Sequence, residues 1–108
     1  MQQLEPADAA ELCATEPLLL LDVREAWEVA TAAIRIEDAA MLHIPMGEIP
    51  GRLDEIDPAR PILCICHHGM RSAQVGAFLE RQGFESVYNL AGGIDAWSQM
   101  VDANVPRY

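Results

Sequence analysis

A short segment near the middle of the chain, residues 66–72, combines side chains that can do chemistry: Cys66, His67, His68, Gly69, Met70, Arg71 and Ser72. The run before it, 61–65, is short and apolar, whereas the run after it, 72–82, has apolar side chains at helical spacing. The segment is therefore predicted to be a loop between a strand and a helix. In such a loop, backbone amides and the first free N–H groups of the helix converge on one point and attract an anion.

Cys66 is the predicted nucleophile of this loop. A thiol reacts poorly until it loses its proton, and helix N-termini or nearby cations such as Arg71 favour that loss. A thiolate among N–H donors can attack the outer sulfur of thiosulfate or of a persulfide and keep that sulfur as a persulfide. A second thiol or cyanide then removes the sulfur, which makes a two-step covalent reaction with ping-pong kinetics. Gly69 suits the loop because a residue without Cβ can adopt a positive φ.

Other thiols and histidines suggest rival chemistry. Cys64, Cys66, His67 and His68 together offer ligands for zinc, but adjacent histidines diverge and no second ligand pair follows, so neither a metal site nor a cofactor is predicted. Cys64 is expected to be buried in a strand, with a role as a resolving thiol left open. Cys13 is expected to be a half-buried helix residue and His43 a hydrogen-bonded structural one.

Composition restricts the class of protein. The 108 residues include 17 acidic and 7 basic ones, a formal charge of -10, which disfavours nucleic acid or acidic lipid as a partner. No apolar run approaches the roughly 20 residues that cross a bilayer, and no basic and apolar leader opens the chain. Three cysteines indicate reduced thiols rather than a disulfide framework. We therefore expect a single soluble, cytoplasmic domain over residues 1–108.

The elements that must position the loop follow from hydrophobic patterning. Strands are predicted at 2–4, 18–23, 42–45, 61–65 and 86–90, and helices at 5–13, 24–30, 46–56, 72–82 and 94–100. The third helix is expected to be interrupted at Pro50 and Gly51, and Gly83 to end the fourth. Trp97 is expected to turn inward, and Trp27 to be a packing residue. Residues 31–41 are predicted to be a loop, the core to span about 2–100, and 101–108 to be a tail.

Alternating strands and helices predict an α/β domain with a mainly parallel sheet and right-handed crossovers. Ligands of such folds bind beyond the carboxyl ends of the strands. Asp22 and Cys66 both fall at such ends, so two separate parts of the sequence indicate the same face of the molecule.

Three ordered motifs give the chain a family resemblance over roughly residues 18–98. The segment 66–71 resembles the active loop of single-domain rhodaneses, which runs from a cysteine through four residues to a position that is often arginine. Segments 21–28 (LDVREAWE) and 83–97 resemble the amino-terminal and carboxyl-terminal signatures of that family. The resemblance implies a three-layer rhodanese-like fold, a mainly parallel five-stranded sheet with helices on both faces.

The same resemblance implies sulfurtransferase activity. Cys66 would form the persulfide, and residues 67–72 would supply the amides and side chains that bind the substrate. Asp22 and Arg24 would lie near the site and organise the fold rather than react. The implied partners are a small sulfur-containing anion or persulfide as donor and a thiol or cyanide as acceptor, possibly a sulfur-carrier protein.

One segment departs from the family pattern, and two other functions stay open. Residues 34–40 stand where the family usually has a His-Ile-x-Gly-Ala type segment, and they lack its histidine and glycine. A cysteine-dependent phosphatase or arsenate reductase also places a thiolate in an anion loop closed by arginine, but the related phosphatases have one more residue between the two. A non-catalytic rhodanese-like binding module is the other alternative.

Overall fold

The computed structural model describes residues 1–36 and 39–108. Five strands form one sheet in the order β1-β5-β4-β2-β3, and each neighbouring pair is parallel: β1 Gln2–Leu4, β2 Leu19–Asp22, β3 Ala40–His43, β4 Ile62–Ile65 and β5 Val87–Leu90. The α-helices are α1 Pro6–Thr15, α2 Ala26–Thr31, α3 Met70–Arg81 and α4 Gly93–Met100. Two short 3₁₀ helices, Met46–Glu48 and Pro50–Glu55, precede β4. The predicted α/β fold with a five-stranded parallel sheet is confirmed.

The central strands are apolar on both sides because the sheet is covered on both faces. Alternate residues of β2 and β4 enter two separate core clusters. Leu19, Leu21 and Cys64 pack on one face with α3 and the 3₁₀ helices, while Leu20 and Leu63 pack on the other with α1 and α4. This two-sided burial explains why the run from Leu18 reads as continuously apolar.

Several boundaries differ from the sequence predictions. Ala40 and Met41 belong to β3 rather than to the predicted loop 31–41, and residues 37–38 of that loop lie outside the described part of the chain. Helix α3 begins at Met70, so Arg71 and Ser72 lie in its first turn rather than in a loop. The positive φ of Gly69 (98°) makes this early start possible, because it turns the chain sharply into the helix.

The two tryptophans differ. Trp97 is buried in the core as predicted, whereas Trp27, predicted to be a packing residue, is 64% exposed and belongs to neither core cluster. Helix α2 has only six residues, and the side chain that it turns inward is the neighbouring Glu28. This places a carboxylate, not an indole, on the inner face of α2.

Residues 101–108, predicted as a tail, form neither helix nor strand but pack against the domain. Val105 is buried in the core cluster of α1 and α4. The Ser98 hydroxyl donates to the Val105 carbonyl, which fixes the path of the segment. Tyr108 is thereby carried to the carboxyl edge of the sheet.

No helix among the described residues has both the length and the apolar character that spanning a membrane requires.

Candidate active site

The carboxyl ends of β2 and β4 are neighbours in the sheet, on the same face of the molecule, as the sequence indicated for Asp22 and Cys66. Asp22 ends β2 and pairs with Ile65, the residue before Cys66. The amide of Val23 donates to the Ile65 carbonyl at 3.0 Å, so the two chain segments leave the sheet side by side. The segments that carry Asp22 and Cys66 therefore meet at one edge.

Cys66 lies in a small cradle of donors. Its Sγ accepts a hydrogen bond from the Gly69 amide at 3.0 Å and another from the Ser72 hydroxyl at 3.2 Å. Ser72 is fully buried, and Cys66 itself is 1% exposed. The first amides of α3 have no acceptor within the helix, and they give its N-terminus a partial positive charge next to the loop. The arrangement stabilises negative charge on sulfur.

The start of α4 braces the other side of the loop. The amides of Ile94 and Asp95 donate to the carbonyls of Cys66 and His67 at 2.9 and 3.1 Å. Gly93, at φ 63°, packs so closely that a Cβ there would lie 2.5 Å from the Cys66 carbonyl oxygen. These contacts occupy the carbonyls of Cys66 and His67 and hold the loop against the start of α4.

Asn89, from β5, supports the loop from behind. Its Nδ2 donates to the Gly69 carbonyl at 3.0 Å and to Gln3 Oε1 at 2.9 Å, and the residue is 1% exposed. Gly69 is the residue whose amide contacts Sγ. Asn89 therefore fixes the turn that aims this amide at the thiol.

Arg71 does not stand free beside the thiol. Its Nη1 and Nη2 donate to the two carboxylate oxygens of Glu28 at 2.6 and 2.8 Å. The hydrogen bonds from Arg71 lower the pKa of Glu28 to about 2, and the carboxylate in turn raises the pKa of Arg71. Both groups are charged at neutral pH, and their charges cancel.

A second arginine joins the same network. Arg24 is fully buried and forms a two-pronged ion pair with Asp22, with Nε–Oδ1 at 2.9 Å and Nη2–Oδ2 at 2.7 Å. The Tyr108 hydroxyl accepts from Arg24 Nη1 at 2.9 Å and donates to Glu28 Oε2 at 2.8 Å. Asp22 and Arg24 thus act on the site through Tyr108 and Glu28, which fits an organising role.

The histidines of the loop form a stack rather than a catalytic pair. The His67 ring lies between the His68 ring, at 3.9 Å, and the Tyr108 ring, at 4.0 Å between centroids. Burial, followed by the neighbouring His68, lowers the pKa of His67, which favours the neutral imidazole. Met70 is 76% exposed at the rim.

The loop histidines also raise the question of a metal. Among residues 1–36 and 39–108, one ligand atom each from His67, His68 and Asp95 lie within 4.8 Å of one another. Stacked rings keep their nitrogen lone pairs in nearly parallel planes, and Asp95 already accepts from Arg107 Nε at 2.9 Å. This geometry fits a metal ion poorly.

The remaining thiols and the remaining histidine lie where the sequence predicted. Cys64 is fully buried, and burial raises its pKa to about 12, so it stays a thiol rather than a nucleophile. Cys13 is half-buried on α1. His43 contacts the Arg24 carbonyl through Nε2 at 2.7 Å, a structural hydrogen bond.

The structure places residues 66–72 around Cys66 Sγ or at the rim of its loop, and four residues that the sequence did not indicate support them: Glu28, Asn89, Gly93 and Tyr108. Glu28 carried a weak signal, since Glu25 and Glu28 are spaced as a capping box, which the structure contains. Its partner Arg71 lies 43 positions away in the chain, and a local sequence pattern does not indicate a contact between residues so far apart.

Comparison with known proteins finds the same family by sequence and by structure. The family model described as "Rhodanese-like domain" matches residues 5–100. The chain is 43% identical over 84 residues to a putative sulfurtransferase, YtwF, of Bacillus subtilis, covering 78% of this chain and 77% of that protein. It is 37% identical to the thiosulfate sulfurtransferase GlpE of Actinobacillus pleuropneumoniae, covering 90% and 86%. A crystal structure from Staphylococcus saprophyticus superposes with a TM-score of 0.81 at 29% identity, covering 98% and 99%.

Proposed function

Because the chain belongs to the rhodanese-like domain family, whose relatives described above are named sulfurtransferases, we propose that it moves a sulfane sulfur through a persulfide on Cys66. The donor is thiosulfate or a persulfide, and the acceptor is a thiol or cyanide. A sulfur-carrier protein is a further candidate acceptor.

The observation that carries the proposal is the cradle around Sγ. Two donors, the Gly69 amide and the Ser72 hydroxyl, point at the sulfur of a cysteine that follows a buried strand and precedes a helix N-terminus. Such donors stabilise a thiolate before the reaction and a terminal persulfide sulfur after it, because both carry negative charge. A cysteine that only fills space in the core does not require hydrogen-bond donors to its sulfur.

The reaction proceeds in two displacements. The Cys66 thiolate attacks the outer sulfur of the donor, an Sγ–S bond forms, and the donor's S–S bond breaks with its electron pair leaving on sulfite or on a thiolate. In the second step the acceptor attacks the outer sulfur of the Cys66 persulfide. The pair of the Sγ–S bond returns to Sγ, and the thiolate is regenerated.

Mass spectrometry after donor treatment tests the proposal. We expect the protein to gain one sulfur atom at Cys66, the Cys66→Ala variant to gain none, and the Cys13→Ser control to behave as the parent. Cyanide should then release thiocyanate and restore the original mass.

Two outcomes would contradict the proposal. Release of phosphate from an aryl phosphate without thiocyanate formation would favour the cysteine-dependent phosphatase. Absence of any added sulfur, with the biological role intact in Cys66→Ser, would favour a binding module.

A further inference from the structure

The charge of Arg71 is already neutralised before a substrate arrives. Both of its terminal nitrogens contact Glu28, a buried residue (4% exposed) whose carboxylate also accepts a hydrogen bond from the Tyr108 hydroxyl. A carboxylate fixed by two partners does not swing away easily, because it would lose hydrogen bonds made by charged groups. Arg71 therefore offers an incoming anion little net positive charge.

The other cations around the loop are balanced in the same way. Arg24 pairs with Asp22, and Arg107 pairs with Asp95, which lies in the helix that braces the loop. Among the described residues that contact the loop or its supporting network, each of these three arginines has its own carboxylate. The cradle attracts anions through backbone and hydroxyl dipoles rather than through a free cation.

The two classes of sulfur donor, thiosulfate and persulfides, differ in the negative charge that they bring next to Cys66. Thiosulfate is a dianion, and its approach to a thiolate places three negative charges in one pocket. A persulfide brings at most one negative charge, and none in its protonated form. The chain as a whole carries a formal charge of -10, which adds to the repulsion of a dianion.

Building on the sulfur transfer proposed above, we propose that Glu28 determines donor specificity: by neutralising Arg71 it makes the site select a persulfide over thiosulfate. With a protonated persulfide, the Cys66 thiolate takes the terminal SH group and the donor leaves as a thiolate. With thiosulfate, the same attack gives a Cys66 persulfide anion and sulfite. Both reactions balance without an oxidant or reductant, so charge rather than redox chemistry separates them.

The test compares rate constants for sulfur loading of Cys66 from thiosulfate and from cysteine persulfide, followed by mass spectrometry. In the parent protein we expect cysteine persulfide to react faster. Glu28→Gln should raise the thiosulfate rate constant at least about tenfold, because it removes one negative charge close to the bound dianion and leaves Arg71 positively charged. The cysteine persulfide rate constant should change by about threefold or less, since the persulfide group brings at most one negative charge, half that of thiosulfate.

Two matched variants separate a local from a general charge effect. Glu11→Gln removes one exposed negative charge from α1 and should leave the donor ratio unchanged. Glu28→Gln combined with Arg71→Gln should lose the gain in thiosulfate rate, because the released cation is then absent. A merely structural role of Glu28 would slow both donors together and would not change their ratio.

The outcomes distinguish this inference from the function on which it rests. Absence of sulfur on Cys66 with either donor would refute the sulfurtransferase proposal itself. Loading that is faster from thiosulfate in the parent, or a donor ratio unchanged in Glu28→Gln, would refute only the specificity role. If Glu28→Gln does not fold, Arg71→Gln decides instead: it leaves the charge of the Glu28 carboxylate without its arginine and should slow loading from thiosulfate relative to cysteine persulfide, and an unchanged donor ratio would refute the specificity role.

Discussion

At the scale of single residues, the surroundings of the Cys66 sulfur depend on the conformation of one glycine. Gly69 adopts a φ of 98°, and its amide donates to Cys66 Sγ. The carbonyl of the same residue accepts from Asn89 Nδ2 and from the Ala73 amide. A glycine is needed for the turn, and its two carbonyl contacts keep that turn in one conformation.

Asn89→Leu tests this support. Leucine has a similar volume but no donor, so we expect the Gly69 turn to loosen and sulfur loading of Cys66 to slow about tenfold, equivalent to the roughly 1.4 kcal/mol of a modest hydrogen bond. Stopped-flow measurement of Cys66 alkylation at fixed pH should show the same decrease.

Gln3→Leu is the control for this variant. It removes the other partner of Asn89 Nδ2 on the exposed edge strand but leaves the bond to Gly69 intact. A normal loading rate in Asn89→Leu, or an equal loss in Gln3→Leu, would contradict the assigned role of Asn89.

At the scale of elements, two helices define the loop from opposite sides. The start of α3 supplies amides and the Ser72 hydroxyl, while the start of α4 holds the carbonyls of Cys66 and His67. The loop is therefore held by contacts of its backbone, and exposed side chains such as Met70 take no part in them. The close approach of α4 is possible only because Gly93 has no side chain.

Gly93→Ala should disrupt that approach. The added Cβ would meet the Cys66 and His67 carbonyls, and alanine is strained at φ 63°. We expect sulfur loading to fall at least about a hundredfold and the free energy of unfolding to drop by roughly 2–4 kcal/mol. Urea denaturation and donor-loading assays measure the two effects.

Gly83→Ala separates collision from strain. Gly83 also has a positive φ (96°), but a Cβ there would meet nothing within 4 Å. This variant should lose stability through strain alone and keep its loading rate. Equal loss of activity in both variants would show that α4 does not position the loop.

At the scale of the whole molecule, one network of charges joins parts of the chain that are distant in sequence. It runs from Asp22 and Arg24 at the end of β2, through Tyr108, to Glu28 on α2 and Arg71 on α3. The segment 101–108 thus belongs to the architecture of the site, since Tyr108 also stacks on His67. Disturbing one member should affect both stability and the loop.

The network predicts an acid-dependent loss of stability. The folded protein holds the pKa of Glu28 at about 2, below its ordinary value near 4.5, because of the hydrogen bonds from Arg71. A lowered pKa stabilises the folded state above the ordinary value, and this contribution disappears as pH falls towards 2. The contribution at neutral pH is of the order of 3 kcal/mol.

Urea denaturation of the parent and of Glu28→Gln at several pH values measures this effect. The parent should be more stable at pH values above about 5, and the difference should shrink steadily as the medium is acidified towards pH 2–3. A difference that does not depend on pH would show that the ionised carboxylate contributes no stability.

Much of this architecture was readable from local patterns. The continuous apolar runs predicted buried parallel strands, and the change from strand to helical spacing on either side of 66–72 predicted the loop. The spacing of Cys66, Gly69 and Arg71 indicated the class of chemistry. Trp27 was misread because a six-residue helix gives too little periodicity to tell its inner face from its outer one.

The sequence by itself indicated the strands, the helices and the loop that carries Cys66, because these follow from patterns within a few residues. Only the tertiary structure decided that Arg71 is neutralised by Glu28, that Asn89 and Gly93 hold the loop, and that Tyr108 closes the network. Those contacts join residues 20 or more positions apart. Their formation depends on how the elements pack around the sheet, which no local pattern encodes.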